Sequence, residues 1–415
     1  MADLKKVFYK VYDSNDVYIT TWNADVASIP SFTWSINGSM GQLTIDLARP
    51  VNDFGETEDV AMFNKVKTYV QDGDSTGAIA IHSGSIISYN YFVAADGKQK
   101  IRVYVLSFTE NADKLVLKDG SGNTTLTYNS YEPADIMKSV LNYMAGDISY
   151  NSSSIENTST TVSYTFKYAS YLEAIKKILE LCPAYWHWYI DANNLLHLKS
   201  TDFETIDHTL YLGREVQSID VFKKKKKMYN TVFFLGGDTG GGTLLYKKYT
   251  SGGSVAQYGA REFRMQDSRV NNTGTAQIMA TKFLDENDHF NQELTVTVLD
   301  NNASDGNIGG IKGYDIESLK PGDVVKVFHP KIQSNLTLWY SDDLSLGNFL
   351  WNVSFWNYDI RYSLGIPMQI QEIQYDFYSA IIKLSTTLPD IPKRIEDIER
   401  NLVDTESINI PAIPS

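Results

Sequence analysis

Two segments rich in glycine or acidic residues have residue types that bind ions in other proteins. Residues 236–242 follow a predicted strand, as a phosphate-binding loop does, but they lack the Lys-Ser/Thr pair of a P-loop, and no predicted helix follows them. Residues 300–306 resemble a calcium loop, yet Asp305 stands where the EF-hand needs glycine and Ile311 where it needs a bidentate glutamate. We therefore predict a hairpin tip at the first segment and an Asn/Asp/Gly turn at the second.

The histidines and the cysteine also do not indicate a metal site or a reactive thiol. Of the six histidines, only His187 and His197 are predicted to approach each other, across a hairpin, and one strand pair supplies too few ligands for zinc. The single cysteine, Cys182, excludes an intrachain disulfide framework and lies on the apolar face of a predicted helix, where its thiol is expected to be inert. We predict no catalytic, cofactor-binding or metal-binding residue, no cofactor and no enzymatic activity.

A run of five lysines, residues 223–227, is the most unusual charge feature. In a strand, alternate lysines point to opposite faces, so at least one face carries a basic stripe. The stripe either protects a solvated edge strand from aggregation or contacts an acidic neighbour or passing DNA. On the second interpretation, Lys223, Lys225 and Lys227 are possible partner contacts.

Composition limits the class of protein. The chain has 415 residues, enough for two or three domains, and its 43% hydrophobic and 21% charged residues are typical of globular proteins. The formal charge of −13 argues against a dedicated nucleic-acid binder. The first residues lack the apolar core of a secretory signal, and no apolar run is long enough to span a membrane, so we expect synthesis in a cytoplasm.

Periodicity predicts a mainly β protein with a small α/β insert. The first hundred residues alternate short strands with turns, a pattern typical of a barrel or sandwich. The predicted strands there are 7–12, 17–19, 42–47, 66–70, 79–91 and 100–108. Helical spacing of apolar residues predicts helices at 132–141, 171–181 and 275–286, and the second of these precedes a predicted hairpin at 185–198.

These elements suggest four parts of the chain. We predict a first β-barrel domain at 1–110, an α/β insert at 111–200, a second β-barrel domain at 201–388, and a C-terminal helix and tail at 389–415. The second barrel carries an aromatic-rich insertion at 330–367, with Trp339, Trp351 and Trp356. Strands at 65–70, 86–91 and 101–105 correspond in order to strands at 324–328, 370–375 and 381–384, which indicates either an internal repeat or two unrelated meanders that look alike.

The C-terminal helix carries an apolar seam. Ile391, Ile395, Ile398 and Leu402 are spaced four, three and four residues apart, as in a coiled coil. About three turns are too short to hold chains together alone, but they could extend an existing oligomer along its symmetry axis. The alternative is an amphipathic helix that packs on its own domain.

Taken in order, several segments make the chain resemble bacteriophage tail hub proteins. This family includes the baseplate hub of contractile tails, the N-terminal part of siphophage tail-associated proteins and the spike-bearing protein of type VI secretion. The segments that carry the resemblance are 41–50, 171–198, 229–237, 258–262, 275–286 and 319–325. The resemblance covers about residues 1–400, and none of these segments contains a catalytic signature.

The resemblance implies a homotrimer in which each chain contributes two related β-barrels to a pseudo-sixfold ring. Such a ring adapts the sixfold tail tube to a threefold spike or fibre and gates the DNA channel. The implied partners are a distal tail or tail tube ring protein, a tape measure protein, and a tail fibre or spike, with DNA only in passage. The implied location is the tail tip or baseplate of the virion. A receptor- or carbohydrate-binding tail protein, favoured by the aromatic-rich insertion, and a distal-tail ring component stay open as alternatives, while a hydrolase is disfavoured by the missing acid/base and metal motifs.

The seam yields a first prediction. Replacing Ile395 and Ile398 with Asp buries unpaired charge if three seams meet on an axis, which is a costly arrangement. We expect the double variant to fold but to lose attachment of a fibre or spike, as measured by particle assembly and electron microscopy. Complete tails assembled from the variant would show instead that the helix packs on its own domain.

Overall fold

A computed structural model of the chain shows a mainly β protein with few helices, as the sequence predicts. The structure describes residues 5–23, 27–48, 58–71, 77–95, 97–107, 109–144, 148–211, 215–222, 228–289, 293–300, 314–330, 362–363 and 367–385. Within these ranges, no helix has both the length and the apolar character needed to cross a membrane.

The first large sheet comes from the first quarter of the chain and is antiparallel throughout. Its strands are β1 (Lys6–Tyr12), β2 (Tyr18–Asn23), β4 (Leu43–Leu47), β5 (Lys65–Gln71), β6 (Ile79–Val93) and β7 (Gln99–Leu106). They lie in the order β2-β1-β5-β6-β7-β4. In β5, Val66, Thr68 and Val70 are buried while their neighbours are half-exposed, because alternate side chains of a strand point to opposite faces.

The second large sheet combines a strand from near the N-terminus with strands from the second half of the chain. Its strands are β3 (Ser31–Ser35), β12 (His208–Tyr211), β13 (Val216–Phe222), β17 (Glu293–Leu299), β18 (Val324–Pro330), β19 (Tyr362–Ser363), β20 (Met368–Asp376) and β21 (Ser379–Ser385). The main order is β12-β18-β20-β21-β17-β13, with β19 paired to β18 and β3 paired to β20. The sequence pattern did not predict β3.

The two large sheets share a strand order at their centres. The meander β5-β6-β7 has β4 as its antiparallel neighbour on the β7 side, and the meander β18-β20-β21 has β17 in the corresponding place. On the opposite side the sheets differ, because β1 is antiparallel to β5 whereas β12 is parallel to β18. These meanders contain the strands that the sequence analysis aligned as a repeat.

Smaller sheets and five helices are the other regular elements of the described residues. The strands are β8 (Thr125–Tyr131) paired with β9 (Val162–Lys167), β10 (Trp186–Ile190) paired with β11 (Leu196–Ser200), and the sheet β15-β14-β16 formed by β14 (Thr231–Asp238), β15 (Leu244–Thr250) and β16 (Glu262–Asp267). The helices are α1 (Thr109–Lys114), α2 (Pro133–Tyr143), α3 (Tyr171–Leu181), α4 (Gly252–Tyr258) and α5 (Thr273–Asn287), and a 3-10 turn covers Ile316–Ser318.

Helix α3 illustrates how local sequence sets these bounds. The Ser170 side chain accepts a hydrogen bond from the Glu173 backbone N–H, and the Glu173 side chain accepts one from the Ser170 N–H. This capping box satisfies two of the backbone donors that a helix start leaves open. Pro183 follows soon after the last helical residue and prevents continuation. The three helices predicted from periodicity are confirmed as α2, α3 and α5, whereas α1 and α4 were not predicted.

Buried residues form two hydrophobic cores. One contains the inward faces of both large sheets, so these sheets pack as a unit. The other contains α2, α3, β8–β11 and also β14, β16 and α5. Residues 228–289 therefore pack with the predicted insert, although they follow it in the chain. The domain bounds at 110, 200 and 388 stay a prediction.

A close backbone approach fixes the β10–β11 hairpin against the second large sheet. Gly322, in the turn before β18, has φ 96° and lies directly against the buried His187 of β10. A Cβ added to Gly322 would lie 1.9 Å from His187 Nε2. The other ring nitrogen accepts a hydrogen bond from Gln369 Nε2 of β20 (3.2 Å) and lies 3.1 Å from the Thr201 hydroxyl. Because polar contacts hold the imidazole on its other side, it has little freedom to retreat.

This contact predicts a large cost for Gly322→Ala. The positive φ alone costs about 1–2 kcal/mol in any residue with a Cβ, and displacement of a packed side chain adds about 1–3 kcal/mol. Gly97 is a matched control, since its φ is 77° but a Cβ there meets nothing within 4 Å. In urea unfolding, we expect Gly322→Ala to lose clearly more stability than Gly97→Ala. Equal losses would contradict a close His187 contact.

Candidate assembly surfaces

Burial shifts the pKa of several ionisable groups among the described residues far from its ordinary value. Burial lowers the pKa of His82 to about 4, against one hydrogen bond between its Nε2 and the Gly41 carbonyl, and it lowers the pKa of His187 to about 3. Burial also raises the pKa of the Cys182 thiol to about 12, which leaves no thiolate at neutral pH. The Glu286 pKa rises to about 7 for the same reason, despite the nearby Lys282 charge.

The two histidines expected to approach each other lie on one face of the β10–β11 hairpin with a tyrosine between them. The Tyr189 ring stacks on His197, with centroids 4.6 Å apart, and is 6.2 Å from the His187 ring. His197 Nε2 lies 3.1 Å from the Asp191 carboxylate. Across the described ranges, no group of three or more His, Cys, Asp or Glu side chains is placed to hold a metal ion.

One relay of hydrogen bonds was missed by sequence reasoning. Tyr314 donates to His208 Nδ1 (2.6 Å), and His208 Nε2 lies 2.8 Å from the Asp323 carboxylate. The order of groups resembles a nucleophile, base and orienting acid, but burial raises the Tyr314 pKa, so the phenol is a poor nucleophile. Asp323 also accepts the Lys320 backbone N–H. We interpret these hydrogen bonds as structural, because they stabilise the turn before β18.

The site residues proposed from sequence lie outside the described residues. These are the possible partner contacts Lys223, Lys225 and Lys227, the seam residues Ile391, Ile395, Ile398 and Leu402, and the tryptophans Trp339, Trp351 and Trp356. Among the described residues, exposed apolar side chains provide the candidate surfaces, because large apolar patches mark interaction sites.

The first candidate, the hairpin-end surface, consists of Val17, Tyr18, Met62 and Phe63. Their exposed fractions are 61%, 54%, 40% and 67%. The β1–β2 turn and the turn before β5 lie side by side, because Lys65 and Asp16 form an ion pair (2.8 Å) between them. The surface borders β2, which is an edge of the first large sheet. An exposed edge beside apolar side chains is a natural place for contact with another chain.

Phe63 projects from an unusual backbone conformation. Its φ is 68°, in the left-handed region that a residue with a Cβ rarely adopts. Two hydrogen bonds hold the turn: Phe63 N–H donates to the Ile86 carbonyl (2.9 Å), and the Ile86 N–H donates to the Asn64 carbonyl (2.8 Å). The surroundings thus maintain a strained residue whose aromatic ring points into solvent. Such strain is found preferentially at functional positions.

The second candidate, the outer sheet face, covers one side of β15-β14-β16. Leu244 and Tyr246 of β15 are exposed, and the Tyr246 ring stacks near Phe233 of β14 at 6.3 Å. Lys248 lies over the other end of this row, 5.2 Å from the Phe233 centroid. Phe233 has Lys248 as its cross-strand neighbour in β15 and Arg264 as its cross-strand neighbour in β16. The face therefore combines an apolar row with basic side chains.

Comparison with known proteins identifies the fold. No family model matches the sequence, and no curated protein matches it. Among solved structures, prophage tail protein gp18 from Listeria monocytogenes EGD-e matches with a TM-score of 0.53 and 13% identity over 96% of this chain and 99% of that chain. The 43 kDa tail protein of prophage MuSo2 from Shewanella oneidensis gives 0.53 and 12% over 92% and 98%. A tail protein from Neisseria meningitidis MC58 gives 0.54 and 11% over 91% and 96%.

These matches cover nearly the whole chain in both directions, so the protein shares the complete fold of phage tail proteins. The resemblance to tail proteins predicted from the sequence is confirmed at the level of fold. At this low identity, the role of individual residues does not transfer.

The hairpin-end surface yields a prediction for Phe63→Gly. Glycine adopts the positive φ freely but gains entropy in the unfolded chain, so these effects of about 1 kcal/mol each oppose one another. We expect the unfolding free energy to change by less than about 1 kcal/mol, while self-association weakens at least about tenfold because the exposed ring is lost. Sedimentation over a concentration series measures the association.

Val93→Ala serves as the control, because Val93 is also exposed (66%) on the first large sheet but lies at the β6–β7 turn and is not part of the hairpin-end surface. It should associate like the wild type. If Phe63→Gly also associates like the wild type, the hairpin-end surface is not a contact between copies.

Proposed function

We propose that this protein is a structural hub of a phage tail tip or baseplate and that it is not an enzyme. The observation that carries the proposal is the shared strand order of the two large sheets, which pack in one core. The fold that the chain shares with prophage tail proteins supports a structural tail role.

A chain with two similar sheets can occupy two neighbouring places in a ring of six. Three chains then complete the ring with closed symmetry, which leaves no unpaired end. On one side such a ring fits a sixfold tail tube, and on the other its threefold symmetry fits a spike or fibre. The difference at β12, which is parallel where β1 is antiparallel, means that alternate places in the ring are not equivalent.

The charge of the chain fits the passage of DNA through such a ring. At −13, the protein repels phosphate overall, so DNA is not retained in the channel. Lys223, Lys225 and Lys227 are then best placed on the outside, against an acidic neighbouring tail protein. We expect the partners to be a distal tail or tail tube ring protein, a tape measure protein and a fibre or spike, with the protein located in the virion.

Mass measurement tests the proposal directly. At micromolar concentration, native mass spectrometry or light scattering should give three times the 46.8 kDa chain mass, since a ring that is not closed exposes strand edges. The copy number in a purified particle is the second readout. Three copies agree with a hub, whereas six copies indicate a distal-tail ring component and would overturn the proposed threefold role.

A further inference from the structure

A polar groove lies on the second core, and none of the residues of the two assembly surfaces lines it. Its volume is about 1010 Å³, and it opens between α2 and the segment 148–157. Helix α2 contributes Lys138, Leu141 and Asn142, which share one helix face because they are three and four residues apart. The opposite wall contains Tyr150, the hydroxyls of Ser152 and Ser153, and two further asparagines.

The wall opposite α2 is held in place by backbone hydrogen bonds to β11. Leu196 N–H donates to the Ser149 carbonyl, and Leu198 N–H donates to the Ser154 carbonyl, both at 2.8 Å. Glu156 N–H returns a hydrogen bond to the Leu198 carbonyl (3.0 Å). The segment thus follows β11 like an additional strand, although it has no regular strand structure. A wall fixed in this way loses little entropy when a ligand binds.

Three asparagines give the groove its chemical character. The Asn142 side-chain oxygen accepts from the Tyr150 hydroxyl (3.2 Å), that of Asn157 accepts from Lys138 Nζ (3.4 Å), and that of Asn151 accepts from Ser153. Each amide oxygen is therefore engaged, while the three N–H₂ groups have no hydrogen-bond partner among the described residues. All three side chains belong to exposed residues. The groove consequently offers several donors to a ligand rich in acceptors.

The remaining lining favours an uncharged ligand with both polar and apolar faces. Lys138 and Glu156 bring one charge of each sign, and the Glu156 carboxylate already accepts hydrogen bonds from Ser200. A strongly anionic ligand would also meet the −13 charge of the chain. The floor is apolar, since it is formed by Leu141, Met144, Ile148 and Ile155. The half-buried Tyr150 adds an aromatic ring on which an apolar ligand face can pack.

We propose that this groove binds an uncharged saccharide. Sugar hydroxyl and N-acetyl oxygens accept hydrogen bonds from the amide groups of Asn142, Asn151 and Asn157, while the C–H face of a sugar ring packs on Tyr150. The volume of about 1010 Å³ is at the upper end of ordinary ligand pockets, and the groove is open to solvent, so a short saccharide can enter it. The proposal is independent of the tail hub function, because no assembly surface takes part in it.

Calorimetric titration of the full chain with tri-N-acetylchitotriose and with cellotriose tests the proposal. We expect at least one of these neutral trisaccharides to bind with a Kd below about 5 mM, as is reasonable for a few hydrogen bonds and one ring contact. Asn142→Asp with Asn157→Asp keeps the side-chain shape but replaces donors with acceptors. This double variant should bind at least about tenfold more weakly.

Asn129→Asp is the matched control, because Asn129 is an exposed asparagine of β8 that does not line the groove. It should bind like the wild type, and thermal unfolding should confirm that all variants remain folded. Absence of binding by both trisaccharides overturns the proposal, as does undiminished binding by the double variant. Tighter binding of a sulfated trisaccharide than of the neutral ones would also overturn it, since the groove would then select charge. None of these outcomes alters the mass or copy number expected of a hub.

Discussion

The pairing of β3 with β20 is the constraint on which the arrangement of the two large sheets depends. β3 lies between strands of the first sheet in sequence, yet residues Ser31–Ser35 form a ladder with Glu372–Asp376 near the other end of the described chain. Phe32 of β3 stacks on Tyr375 of β20 (5.1 Å) and meets the ring of the buried His82 of β6 edge-on (5.0 Å). One aromatic row therefore joins both sheets, and neither sheet can move without breaking it.

A buried ion cluster strengthens the same junction. Lys5, just before β1, forms ion pairs with Asp300 after β17 and with Glu317 in the 3-10 turn, and it donates to the Phe377 carbonyl (2.8 Å). Burial opposes the charge of Lys5, but attraction to Glu317 and Asp300 prevails and raises its pKa. Tyr375 also donates to Glu317. Since removing one partner of a buried pair leaves an uncompensated charge, the cluster specifies a single relative position of the sheets.

The second core is joined by a comparable network, which explains why two separate chain segments fold together. Lys177 of α3 pairs with Glu180 and with Asp267 at the end of β16, and Arg269 also bonds Asp267. Lys177 and Arg269 both lie near the Tyr164 ring, at 5.4 and 5.2 Å from its centroid. Lys177 and Asp267 are both nearly buried, so each offsets the other's charge and their ion pair joins α3 to the end of β16. The saccharide groove and the outer sheet face thus belong to one packed unit, and the hairpin-end surface belongs to the other core.

The sequence by itself determined the local elements of this protein. Alternation in β5, the spacing and terminal proline of α3, and the β10–β11 hairpin were predicted because the hydrophobic period and the turn residues act within a few positions. The meanders β5-β6-β7 and β18-β20-β21 were also found in sequence, as two sets of strands in the same order.

Only the tertiary structure decided which segments meet. β3 was missed although Phe32, Thr33 and Trp34 favour strands, because five residues are too few to establish a hydrophobic period. Its pairing partner, β20, lies near the far end of the described chain. The packing of residues 228–289 with the insert rests on a shared hydrophobic core and on an ion pair between distant segments, neither of which is visible in a local sequence period. Likewise, the sequence does not distinguish Phe63 from a core aromatic residue. Its exposure follows from a turn in which its φ is positive. The groove asparagines are unremarkable in sequence, and their donor groups converge only because the segment 148–157 runs along β11 opposite α2.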